Sequence, residues 1–135
     1  MDTTIADVVY KNFVDCVDNN IFLQSVFPSG LGDVLVGQFG LDEGSFSLNI
    51  HVLKQPDREI KKWGIWGVNY DVIVIKLLGS GVDDITIRNW QKLTAGPLLC
   101  WIRENRLFIS CQSEGRFFQI SCSGLIFQSG STYIK

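Results

Sequence analysis

The residues of this chain whose types and spacing could do chemistry fall into a few small groups. His51 is the sole histidine, so any Cys–His or Ser–His nucleophile pair would have to use it. It lies in the middle of an alternating run, on the polar side, with no motif beside it. Cys100, Cys111 and Cys122 recur every eleven residues. That spacing could gather thiolates for a metal. It also suits small apolar side chains interleaved with Ile, Leu and Phe, and free cysteine is often buried in that role. Asp42-Glu43 and Asp83-Asp84 are adjacent carboxylates. Paired carboxylates can cleave glycosides, but acidic residues next to glycine also initiate turns. No GxSxG, HExxH, P-loop or Rossmann fingerprint is present. Gly79-Ser80-Gly81 reads as a turn, because no helix follows to cradle a phosphate. The expectation is a protein that is not an enzyme and holds no cofactor or metal.

Trp63, Trp66 and Tyr70 form the most distinctive group, in a stretch from Lys62 to Trp90 that holds no cysteine or histidine. Tryptophan and tyrosine on a long loop can anchor a protein partner. They can also plug one end of a sheet as core, or stack on a small molecule or carbohydrate. Asp33, Asp42, Glu43, Asp83 and Asp84 are candidate rim charges for a basic partner.

The elements that position these residues can be read from pattern. The chain has 135 residues, 46% apolar and 19% charged, with a net charge of −2. That length supports one domain, 1–135, with a real core. The charge balance argues against nucleic-acid binding, which needs a basic footprint. An acidic N-terminus lacks the n-region of a signal peptide. No apolar run approaches the roughly twenty residues of a membrane span. The expected location is therefore cytoplasmic, with no membrane partner and with all four cysteines as free thiols.

Residues 4–18 carry Ile5, Val9, Phe13, Cys16 and Val17 at helical spacing, which predicts an amphipathic helix within an N-terminal unit, 1–20. Residues 21–135 form the β part. A second short helix or turn is expected over Ile21 to Val26, before Pro28-Ser29-Gly30 breaks it. Asp33 to Leu41 and Ser45 to Leu53 predict a hairpin about Asp42-Glu43-Gly44. Tyr70 to Leu78 and Asp84 to Trp90 predict two further strands. The last third reads as a meander. Two-residue turns at Glu104-Asn105 and Glu114-Gly115 put Leu98, Cys100, Ile102, Leu107, Ile109, Cys111, Phe118, Ile120 and Cys122 on one face. A slip of one residue at the second turn would bring Gln119 and Ser121 into the core. Leu125 to Ile134 is the last strand. The predicted fold class is mainly β, a β-sandwich or a strongly curved antiparallel sheet, with an N-terminal α-helix packed on it.

Pro56, Lys62-Trp63, Asn69, Val72, Val74, Leu77, Ile85, Ile87, Trp90, Phe117 and Ile120 form a pattern over residues 21–135. With the Pro28-Ser29-Gly30-Leu31 turn, it resembles the immunity protein 50 family of bacterial polymorphic toxin systems. Trp66 and the N-terminal helix depart from that pattern. The resemblance implies a cytosolic antidote that binds the C-terminal domain of a cognate toxin, of the kind used in contact-dependent growth inhibition. Inhibition by binding needs no catalytic residue. It needs a stable scaffold, an anchor patch and complementary charge. The oligomeric state, monomer or homodimer, is open at this stage. The alternative is a small-molecule or carbohydrate-binding β-domain that uses the loop aromatics. An enzyme built on His51 or a carboxylate pair is a third reading, for which the residues give little reason.

Overall fold

Three short turns organise the strands, and each is a two-residue connection that tolerates positive φ. Glu43-Gly44 (φ 35° and 84°), Glu104-Asn105 (51° and 63°) and Glu114-Gly115 (42° and 89°) all take the left-handed backbone of a type I′ hairpin. The strands they join stay in register right up to the turn, with Asp42 opposite Ser45, Arg103 opposite Arg106 and Ser113 opposite Arg116. The computed structural model describes residues 9–91 and 93–135.

In chain order the elements are β1 (Val9–Lys11), α1 (Ile21–Val26), β2 (Asp33–Asp42), β3 (Ser45–Val52), β4 (Val72–Ser80) and β5 (Asp84–Arg88). They continue with β6 (Gly96–Arg103), β7 (Arg106–Ser113), β8 (Arg116–Cys122) and β9 (Gly124–Tyr133). Among the described residues all nine strands belong to one antiparallel sheet, ordered β5-β8-β7-β6-β2-β3-β4-β9, with β1 paired to β6. Its two halves meet in two places. One is the short β2–β6 pairing at Asp33–Pro97 and Val34–Gly96. The other is a corner where β4 runs into β5 and β8 into β9. There the Ser123 N–H donates to the Ser80 carbonyl at 2.8 Å, and the Asp83 N–H to the Ser121 carbonyl at 3.2 Å.

The period-two pattern places the core as expected. Phe46, Leu48, Ile50 and Val52 of β3 are buried, and their neighbours are not. In the meander Cys100, Leu107, Ile109, Cys111, Phe118, Ile120 and Cys122 are buried, while Leu98 and Ile102 pack at the margin. Phe39 of β2 meets Phe118 of β8 edge to face at 5.4 Å, so both halves of the sheet share one core.

The N-terminal helix is corrected. The described part of the segment, from Val9 on, is strand β1 followed by a short 3-10 helix, Phe13–Cys16, capped by the Asn12 side chain. Its apolar residues do reach the core, because Phe13, Val14 and Val17 are buried. Val9 and Tyr10 instead pair along β6 and stay exposed. The start of the predicted helix lies outside the described residues. The α-helix is the short Ile21–Val26 turn segment.

The expectation of four free thiols is corrected as well. Cys16 and Cys100 form a disulfide, which ties the 3-10 helix to β6 across 84 residues of sequence. Cys111 and Cys122 are free and buried. In register Cys100 lies opposite Ile109, Cys111 opposite Phe118, and Cys122 opposite Leu107. Each residue of the eleven-residue series thus has an apolar register partner within the meander.

Burial pushes the Cys122 thiol up from 9.0 to about 11. Above pH 9.0 the unfolded chain sheds this proton and the folded chain keeps it. The stabilisation is therefore full below that pH and is lost as pH rises through the folded value. Between pH 9 and pH 11, the wild type should lose about 2 kcal/mol more than Cys122→Val. Urea unfolding of both proteins across that window measures the difference. Parallel pH curves would show that the thiol does not carry it.

Candidate functional site

The loop aromatics separate once the chain folds. Gly64 turns at φ 89°, and the Asn69 side chain accepts a hydrogen bond from the Ile65 N–H at 2.8 Å, which closes the 64–70 loop on itself. The Gly67 N–H donates to the Tyr70 carbonyl at 2.7 Å and locks its far side. Inside this loop Tyr70 is 1% exposed and Trp63 8%. Trp63 sits edge-on between Phe22 and Tyr70, at 5.8 Å and 5.9 Å. It also covers Gly130 of β9, where a Cβ would stand 3.2 Å from its ring. Burial, and behind it the charge of Glu59, raises the Tyr70 hydroxyl above its ordinary value. Trp66 is half-buried, edge-on to Tyr70 at 5.4 Å.

The rings do not line one common pocket. Trp66 and Tyr70 border a cleft of about 200 Å³ with Pro56, Arg58 and Glu59. Trp63 borders a separate groove of about 380 Å³ with Phe22, Phe127 and Gly130. A stacking platform built from all three aromatics is therefore not what the fold presents.

The carboxylates behave differently. Asp42 ends β2, Glu43 sits in the turn after it, and Asp83-Asp84 lead into β5. The β2–β3 turn and the β4–β5 connection touch, with the Val82 N–H donating to the Gly44 carbonyl at 3.1 Å. Glu43, Asp83 and Asp84 consequently surround a groove of about 410 Å³ whose apolar lining is Leu41, Val82 and Ile85. Leu41 is 61% exposed. Asp83 is bound to Arg106 at 2.7 Å. A hydrogen bond from Ser121, together with that guanidinium, holds the Asp83 carboxyl below its ordinary value. Asp33 stands apart, at the start of β2 opposite Pro97, beside Lys11 and Gly32.

His51 is half-buried, and its Nδ1 lies 2.8 Å from the Tyr133 hydroxyl. The far side of its ring covers Gly37, at the bulge in β2, where a Cβ would collide with the imidazole. Burial lowers its basicity. Among the described residues, no group of three His, Cys, Asp or Glu side chains is placed to hold a metal.

A second surface stands out on the other side of the meander. Tyr10 of β1 lies opposite Trp101 of β6, and Trp101 opposite Phe108 of β7, in one cross-strand row. Trp101 and Phe108 are stacked, 4° from parallel at 5.5 Å. The alternation that puts Cys100 inside turns Trp101 outward, so the row was legible as the outer face of the meander. The contribution of Tyr10 was not, because it depends on β1. No protein-family model, no curated protein and no solved structure matches this chain.

Proposed function

We propose that this protein is an antidote: it captures a basic toxin domain by protein–protein contact and neutralises it, as its resemblance to the immunity protein 50 family implies. The observation that carries the reading is the acidic corner. Two sequence-distant turns bring Glu43, Asp83 and Asp84 around a groove whose apolar lining is Leu41, Val82 and Ile85. An apolar anchor pocket with a rim of one charge is the arrangement that speeds encounter and then holds a partner of opposite charge. In this reading Asp42 and Glu43 steer, and Leu41 receives the anchor. Inhibition would proceed by binding, in the cytosol, with no chemistry on either protein.

The reading expects a toxin domain encoded beside this gene, and the test is co-expression with such a domain. The expected result is restored growth and a stable complex; no protection and no complex would sink the proposal. The charge reversals Asp42→Lys and Glu43→Lys lie on an exposed turn and should leave the melting temperature unchanged. Together they should slow association tenfold or more at low salt, with the deficit shrinking as salt is added. Stopped-flow association at two ionic strengths reads this directly. The carbohydrate-platform reading is weaker, because Trp63 and Tyr70 are core residues and Trp63 borders a different cleft from Trp66 and Tyr70.

A further inference from the structure

We infer that β5 is a self-complementary edge through which two copies of this chain pair, antiparallel, into a symmetric dimer. The strand is outermost in the sheet order, and β8 is its one strand partner among the described residues. An open edge of this kind offers a row of unpaired N–H and C=O groups. Natural edges are usually protected by proline, by a bulge or by an inward charge. β5 has none of these: it reads Asp84-Ile85-Thr86-Ile87-Arg88, in unbroken register with β8.

The identity of the occupant follows from that sequence. In an antiparallel pair centred on Thr86, Asp84 of one copy falls opposite Arg88 of the second copy, and Ile85 falls opposite Ile87. The two-fold axis repeats both pairings. Opposite charges directly across an antiparallel pair are favourable, as are β-branched pairs. The faces agree as well. Ile85 and Ile87 lie across from the buried Ile120 and Phe118, so they point to the core side. Asp84, Thr86 and Arg88 lie across from Ser121, Gln119 and Phe117, on the outer side. The dimer therefore sets isoleucine against isoleucine toward the core and forms both ion pairs on the outside. Ile87, 40% exposed in the single chain, becomes covered. Arg88 rests over the Phe117 ring at 5.1 Å and can swing from there to a carboxylate. A register shifted by one residue would turn isoleucines outward. One shifted by two would break both ion pairs. The edge thus selects its own copy over an arbitrary strand.

The dimer goes beyond the antidote reading and is tested without any toxin. A five-residue edge is small against the roughly 1,200 Å² of a standard interface, so the association is expected at concentrations on the order of 100 μM. Sedimentation velocity across that range should show the wild type shifting from monomer to dimer. Asp84→Arg alone sets arginine against arginine, and Arg88→Asp alone sets aspartate against aspartate, so each variant should remain monomeric. Mixed one to one, they should form a heterodimer, because every opposed pair is then of opposite sign. The double variant Asp84→Arg/Arg88→Asp should dimerise with itself again. Recovery on mixing also shows that both single variants are folded. A wild type that stays monomeric throughout, single variants that still dimerise, or a mixture that fails to associate would each overturn the inference. Arg88 of the second copy falls opposite Asp84, one of the carboxylates of the acidic corner, so dimerisation and capture of a basic partner compete. The two readings still fail separately, because loss of protection in co-expression says nothing about sedimentation of the free protein.

Discussion

Arg116→Met should lower the unfolding free energy by about 3–5 kcal/mol, since a buried and a part-buried carbonyl lose their donors at about 1–3 kcal/mol each and a cation–π contact goes with them. Arg116 follows the Glu114-Gly115 turn on β8 and is only 4% exposed. Its guanidinium lies 4.1 Å from the centre of the Trp90 ring. Its Nε donates to the Trp90 carbonyl at 3.2 Å, and its Nη2 donates to the Val36 carbonyl at 2.8 Å. Burial pulls this group below its ordinary basicity, and the neighbouring Cys111 partly opposes that shift. No carboxylate is paired with it among the described residues; backbone oxygens and an aromatic face hold the cation. It ties β8 to β2 and to the segment after β5, so its loss should loosen both halves of the sheet. Urea unfolding should show a lower midpoint with an unchanged slope. Arg116→Lys should fall between, because an ammonium keeps the charge but lacks the planar fork that reaches two carbonyls at once. A methionine variant within about 1 kcal/mol of wild type would show that the carbonyls find other donors.

Much of this architecture was written in local pattern. Period-two alternation and three positive-φ turns are short-range signals, so the hairpin of β2 with β3 and the register of β6, β7 and β8 could be read before folding. The burial of Cys111 and Cys122 came with that register. The same parity carries Arg116 inward with Phe118, although an arginine beside a turn looks like a surface residue. Only long-range packing reveals what it bonds. The N-terminal segment failed for a related reason. Phe13, Cys16 and Val17 do face the core, as helical spacing suggested, but Val9 to Lys11 complete the open side of β6. A strand that forms by pairing with residues some ninety positions away leaves no local period to find. The acidic corner was legible as residues and not as a site. Asp42-Glu43 and Asp83-Asp84 each looked like a turn, and the β2–β3 tip meets the β4–β5 connection only in the folded chain. Trp63, Trp66 and Tyr70 each allowed a core and an anchor reading, with Trp66 the evenly balanced one. In the fold Trp63 and Tyr70 turn in, and the Asn69-closed loop leaves Trp66 half-buried at the margin of the core.

Reduction of the Cys16–Cys100 disulfide is expected to cost the isolated protein about 2–5 kcal/mol, with the chain-entropy limit for a loop of this length near 4–5 kcal/mol. The bridge spans 84 residues, and β2 to β5 lie between its ends. It fixes the 3-10 helix to β6 just where Lys11 of β1 pairs with Cys100, so β1 is the strand whose docking it secures. Intact mass should therefore rise by two hydrogens on reduction, and the urea midpoint should fall with it. The double variant Cys16→Ala/Cys100→Ala should show the lower midpoint with or without reductant. Hydrogen exchange should quicken first at Val9 to Lys11 and along the facing edge of β6. An unchanged mass would mean that the two sulfurs only touch, and the stability difference should then vanish. In a reducing cytosol the pair would rest as thiols. An antidote working there would have to hold its fold through Arg116 and the shared core alone. Rapid alkylation in intact cells separates the two states. Labelling of all four cysteines after unfolding means a reduced pair, and labelling of Cys111 and Cys122 alone means a bridged one. The disulfide thus turns the compartment expected under the proposed function into a measurable property of two sulfur atoms.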